Sequence, residues 1–158
     1  MIKRPSNGQY PEFEPLFNGH SDGLQFVQQV RLSLKRGVSQ GRLKEYCIWF
    51  WQHHIKPHFY QEEKLLMPFL DPKDEYVLAV LEDHEQIRNL IASFTGMVRD
   101  MHFLHLANLI EANIRFEEGR FFPDAYIEMK PEIRAEVHQK LLQYPVDPGI
   151  WEDEFWYE

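Results

Sequence analysis

Apolar residues recur at three- and four-residue steps along almost the whole chain, and that period restricts the fold to packed helices. From Pro15 the series Leu16, Leu24, Val27, Val30 and Leu34 marks a first amphipathic helix, with Gly37 as its stop. Ser39 is placed as the N-cap of a second, whose stripe is Leu43, Cys47, Phe50, His54, His58, Glu62 and Leu65. Pro57 lies inside that stripe without shifting its phase, so a kink is expected there and not an end. After the turn Asp71-Pro72-Lys73-Asp74, a third helix carries Val77, Val80, Leu81, His84, Ile87, Ile91, Phe94 and Val98 on one face, up to a break near Asp100. A fourth carries Leu106, Leu109, Ile110, Asn113, Glu117 and Phe121 and is expected to stop near Pro123. A short fifth helix starts at Pro131, a good first-turn residue, and reaches Gln143. No segment reads as a strand. The predicted fold is all-α: an antiparallel up-down-up-down four-helix bundle with a short extra C-terminal helix and an aromatic, acidic tail. Residues 1–14 are predicted as an irregular N-terminal arm. Residues 15–158 are read as a single domain, because no Gly- or Ser-rich linker divides them.

Composition narrows the function. The net charge of −8 argues against nucleic acid, which needs a basic stripe, and against an anionic membrane surface. The longest wholly apolar run, Cys47 to Trp51, is far short of a membrane span. Met1 to Phe13 is polar and proline-broken, so no signal peptide is predicted and the expected location is cytoplasmic. Cys47 is the only cysteine, which rules out an internal disulfide and a thiolate zinc site. There is no dinucleotide-binding, P-loop or nucleophile-elbow motif. What stands out is 12 Phe, 7 Tyr and 4 Trp, enough for a large ring-filled core, together with eight histidines.

An eleven-residue frame occurs twice. His58-Phe-Tyr-Gln-Glu-Glu-Lys-Leu-Leu-Met-Pro68 and Asn113-Ile-Arg-Phe-Glu-Glu-Gly-Arg-Phe-Phe-Pro123 share Glu-Glu and Pro at equal offsets. Each lies near the end of a helix, and each is preceded by a helix with a histidine on its apolar face, His20 and His84. Residues four apart stand one turn apart, about 6 Å along one face. His58 and Glu62 therefore project together, as do Asn113 and Glu117. A lone carboxylate on an apolar stripe is costly to bury, and a cation or a fixed positive charge offsets that cost. Two such carboxylates with three histidines in one bundle layer form a candidate site for one or two divalent metals. Nitrogen and oxygen donors without thiolates suit iron, manganese or zinc. The zinc-protease motif His-Glu-x-x-His is absent.

In Asn18-Gly-His20, Pro57-His58-Phe-Tyr-Gln-Glu62-Glu63, Leu81-Glu-Asp-His84-Glu-Gln-Ile-Arg88 and Ala112-Asn113-Ile-Arg-Phe-Glu117-Glu118, the chain resembles the hemerythrin-like (HHE cation-binding) family. Those are four-helix bundles around a non-haem di-iron centre. The tail Trp151-Glu-Asp-Glu-Phe-Trp156 is similar to that of one bacterial branch. The resemblance implies terminal ligands at His20, His58 and His84, and bridging carboxylates at Glu62 and Glu117. The family usually has a histidine where this chain has Asn113, and the oxygen carriers have another where it has Arg88. So one metal keeps His20, His58 and both glutamates. The other has His84 and the glutamates, with Asn113 as a weak carbonyl ligand or an open position.

The expected role is to bind or sense a small diatomic ligand such as dioxygen or nitric oxide, or iron itself. The expected cofactor is iron, one or two ions. No residue reads as a dedicated catalytic acid, base or nucleophile, and no protein partner is indicated. The rival reading is a metal-free or zinc-bound interaction bundle with a decayed site, favoured by Asn113 and Arg88. His54 and Arg88 are candidates to stand behind the ligands. Glu63 and Glu118 read as solvated or salt-bridged, and His53, His102, His105 and His138 as surface or boundary residues.

Overall fold

The structure, a computed structural model, describes residues 4, 7–147 and 149–157. Of the expected arm, residues 1–3, 5 and 6 lie outside the described residues, as do 148 and 158 of the tail. The described residues are all-helical, with no strand: four long helices and a shorter C-terminal one. Helix α1 (Glu14–Lys35) is preceded by 3-10 turns at Asn7–Gln9 and Pro11–Phe13, and Phe13 is wholly buried. Gly37, at φ +72°, ends the helix by letting the Val38 N–H turn back onto the Ser33 carbonyl, 3.1 Å away. Ser39 caps α2 (Gln40–Phe50) by accepting from the Arg42 N–H. Asp74 caps α4 (Glu75–Ala92) through the N–H groups of Tyr76 and Val77. Between these caps, α2 continues without a break through a π turn (Trp51–Ile55), α3 (Lys56–Tyr60) and a second π turn (Gln61–Leu66).

Two expected boundaries move. The third helix ends at Ala92, not near Asp100. A 3-10 turn (Ser93–Thr95) and an extended stretch follow, and Phe94 and Val98 are buried from there. Helix α5 (Asp100–Phe116) does not stop near Pro123. It passes through a π turn (Glu117–Phe121) into α6 (Phe122–Glu128), and α7 (Pro131–Gln143) follows. Pro123 is the second residue of α6, directly after the π turn.

The three π turns share a cause. Each lies just upstream of a proline: Pro57, Pro68 and Pro123. A proline inside a helix lacks its N–H and crowds the carbonyl four residues back. Here the residue before each proline bonds five back: Lys56 to Trp51, Met67 to Glu62, Phe122 to Glu117. The wider turn admits the ring and keeps the rod continuous. In both copies of the repeat, the accepting carbonyl belongs to the first glutamate of the Glu-Glu pair.

The apolar interior falls into two clusters. One is built on Phe26, Phe50, Phe94, Phe103, Leu106 and Ile110. The other is built on Phe13, Phe17, Leu66, Val80, Phe122 and Leu141. The C-terminal tail joins the first: Phe155 is fully buried, edge-on to Tyr46 at 5.6 Å, and Arg42 binds Asp153 beside it. No helix among the described residues is long and apolar enough to cross a membrane. Because Phe155 is core, Phe155→Ala should lower unfolding stability in urea by about 3–5 kcal/mol. A change within experimental error would mean that the tail is not docked in solution.

Candidate metal centre

Between the two apolar clusters lies a polar layer, made by one stretch from each long helix. His20 comes from α1, His58 and Glu62 from the second rod, His84 from α4, and Asn113 and Glu117 from the fourth. All six are buried, from 0% to 5% exposed. Gly19 lets α1 approach the second rod here, since a Cβ at that position would stand 2.6 Å from His58 Nδ1.

Four of these residues converge. Ligand atoms of His20, His58, Glu62 and Glu117 all lie within 4.8 Å of one another. His84 stands to one side, its Nε2 3.1 Å from Glu117 and 3.7 Å from Glu62. The two carboxylates differ sharply. Glu117 meets three nitrogens: His20 Nε2 at 2.8 Å, His84 Nε2 at 3.1 Å and the Asn113 amide at 2.9 Å. No side-chain donor reaches either oxygen of Glu62; in its protonated form the carboxyl donates to Glu117. His58 Nε2 comes within 2.9 Å of Glu62 Oε1, yet outside hydrogen-bond geometry.

Electrostatics follow this asymmetry. Burial pushes the Glu62 carboxyl well up, and the neighbouring charge of Glu117 pushes it further. Burial acts the same way on Glu117, but the His20 and His84 hydrogen bonds outweigh it and hold that carboxyl well below its usual range. Burial pulls the His20 and His84 imidazoliums down, yet their carboxylate partners bring both out above the ordinary value. His58 has no such partner. Burial, and then the His20 charge, pull it well down.

Each outer histidine is held from behind by a second carboxylate. His20 Nδ1 meets Glu118 at 2.8 Å, and Arg4 grips Glu118 with two bonds of 2.8 Å. His84 Nδ1 meets Glu63 at 2.7 Å, and Arg88 binds that oxygen at 2.5 Å. Such pairs fix the ring and turn its other nitrogen inward. The rings are also clamped, His84 on Phe59 at 3.6 Å and His20 on Phe122 at 5.2 Å.

Sequence reasoning read Glu63 and Glu118 as solvated or salt-bridged. The salt bridges exist, but the residues' larger part is to orient His84 and His20. The signal was present in the repeat, which keeps the second glutamate as faithfully as the first. Arg4 left no signal. Arg88 stands behind His84 through Glu63. His54 is buried without a hydrogen-bond partner, and burial drops it to about 4. The His102 ring accepts the Arg99 N–H at the start of α5, away from the layer.

A cavity of about 20 Å³ adjoins the layer, lined by His20, His58 and Asn113 and by the apolar Ile55, Ile87 and Ile110. It has room for one water-sized molecule. Compared with protein-family models, with curated proteins and with solved structures, the chain gives no match.

A buried carboxyl that no side-chain donor reaches costs stability in the metal-free protein. Glu62→Met should therefore raise its unfolding free energy by about 1–3 kcal/mol. A fall in chemical-denaturation stability would show that its bond to Glu117 outweighs that cost.

Proposed function

We propose that this chain is a hemerythrin-like metal-binding bundle, whose polar layer holds a carboxylate-bridged non-haem iron centre for binding or sensing a small diatomic molecule, or iron itself. The observation that carries the reading is the convergence of His20, His58, Glu62 and Glu117, all buried, with His58 Nε2 and Glu62 Oε1 2.9 Å apart and outside hydrogen-bond geometry. Two imidazoles and two carboxylates fit a divalent first-row metal, and a cation would neutralise the charge that Glu117 and Glu62 cannot share without one. The order of the clusters supports an antiparallel up-down-up-down arrangement. From α1 to the fourth rod, successive helices run alternately from the Phe17–Phe122 cluster towards the Phe26–Phe103 cluster and back, each crossing the polar layer midway.

When bound, the metal supplies Lewis acidity and, if it is iron, redox chemistry. The protein's part is orientation and exclusion. Glu118 and Glu63 set the ring planes of His20 and His84, Phe122 and Phe59 hold them, and the isoleucine wall keeps bulk water from the small cavity. The cavity admits a diatomic molecule and little more.

Asn113 favours a second reading, a mononuclear centre. Its amide donates to Glu117, so it stands where a second metal would need a ligand. Anaerobic reconstitution with ferrous iron followed by elemental analysis separates the cases. Near two irons per chain supports the bridged centre, and near one supports the mononuclear site. No uptake, with no effect of a chelator on melting, refutes metal function and leaves an interaction bundle. Zinc retained in preference to iron would make the site structural.

The same assay tests Asn113 directly. Asn113→His replaces an amide donor with an imidazole in the layer, so iron stoichiometry or affinity should rise. Unchanged binding would show that Asn113 does not face the metal.

A further inference from the structure

The four converging groups are 0–5% exposed, so an ion reaching them must shed its hydration inside the protein. An outer cleft of about 310 Å³ lies against the layer, and Gly19 and His54 line both it and the small inner cavity. Its carboxylates, Glu14 and Asp22, share its lining with the imidazoles of His54 and His138, and no lysine or arginine is among its described lining residues. Two buried polar residues in its lining, His54 and Gln61, carry atoms without a hydrogen bond. His54 is 2% exposed, with neither nitrogen hydrogen-bonded and Nε2 3.6 Å from Asp22 Oδ2. Gln61 is 2% exposed; its amide nitrogen is tied to the Tyr144 carbonyl at 2.9 Å, while Oε1 is unpartnered.

Unpartnered buried donors and acceptors are costly, and neither belongs to the converging four. From His54 the rings form a row inward, 6.2 Å to His58 and 4.9 Å from His58 to His20. Gly19 walls this passage at the point where any side chain would strike His58.

We infer that this cleft is a docking site for a divalent cation, the position from which a metal ion is handed to the buried centre. Asp22 and Glu14 draw the hydrated ion in. His54 and Gln61 Oε1 replace part of its water, and His58 receives it next. The inference rests on the metal-binding reading of the centre and adds a second, transient site to it. Charge selects the occupant: an acidic mouth followed by neutral nitrogen and oxygen donors suits a cation, not an anion or an uncharged gas.

The test is the rate of loading, read apart from its extent. The metal-free full chain is mixed anaerobically with ferrous iron, quenched with chelator at intervals and analysed for retained metal. Glu14→Gln with Asp22→Asn alters only exposed side chains and leaves the centre untouched. That variant should load about tenfold or more slowly at low ionic strength, reach the same final stoichiometry, and converge on the wild-type rate as salt is raised. His54→Phe should slow loading at all salt concentrations, again with unchanged final stoichiometry. Equal rates in wild type and both variants would overturn the docking site while leaving the metal centre standing. Reduced stoichiometry in the charge variant would overturn it too, by placing those carboxylates in the centre itself. Absence of uptake by the wild type would remove the metal-binding reading and the docking site together.

Discussion

Two carboxylates buried in one layer, between two clusters of aromatic rings, are the constraint on which the rest of this structure depends. Both cannot stay ionised there without a cation, because each raises the energy of the other and water is not at hand to screen them. The structure answers by concentrating its donors. His20, His84 and Asn113 all turn to Glu117, which stays ionised, and Glu62 receives none of these donors and is pushed towards its neutral form. A core of this kind is not the most stable that the helices could build. Its cost makes sense as the price of a site.

The repeated frame acts on the backbone as well as placing its glutamates in the polar layer. Pro68 and Pro123 each follow a π turn whose closing i−5 bond is accepted by the carbonyl of Glu62 or Glu117. The second glutamates, Glu63 and Glu118, leave the same turns and reach the histidine of another helix. The two halves therefore cross: the copy in the second rod orients His84, and the copy in the fourth orients His20. Arginines from different parts of the chain, Arg88 and Arg4, anchor the two arrangements. The symmetry breaks at one residue pair. His58 stands four before Glu62, and Asn113 four before Glu117, which is why the donors gather on one carboxylate only.

Much of this was legible in the sequence. The three- and four-residue period located the long helices, and Gly37, Ser39 and Asp74 marked their ends through local backbone chemistry. The spacing of His58 with Glu62 and of Asn113 with Glu117 placed each pair on one helix face. The boundaries that moved, at Ala92 and beyond Pro123, are places where local signals mislead. Phe94 and Val98 keep apolar spacing although the backbone has left the helix, because a buried connection needs apolar residues too. Pro123 reads as a stop, yet a wider turn accommodates it.

Sequence by itself determined the all-helical fold, the chemistry of the donors and their pairing along each helix, since these follow from periodicity and from contacts within one or two turns. Only the tertiary structure decided how the four faces meet: that Glu117 and not Glu62 takes the donors, that Glu118 serves His20 across nearly a hundred residues, and that Arg4 closes that chain of bonds. It also decided that His54 and Gln61 line the wall of a cleft beside the centre. Such contacts depend on how rods approach and rotate against one another. Small features set that approach, such as the bare Cα of Gly19 opposite His58, and their consequences lie on other helices.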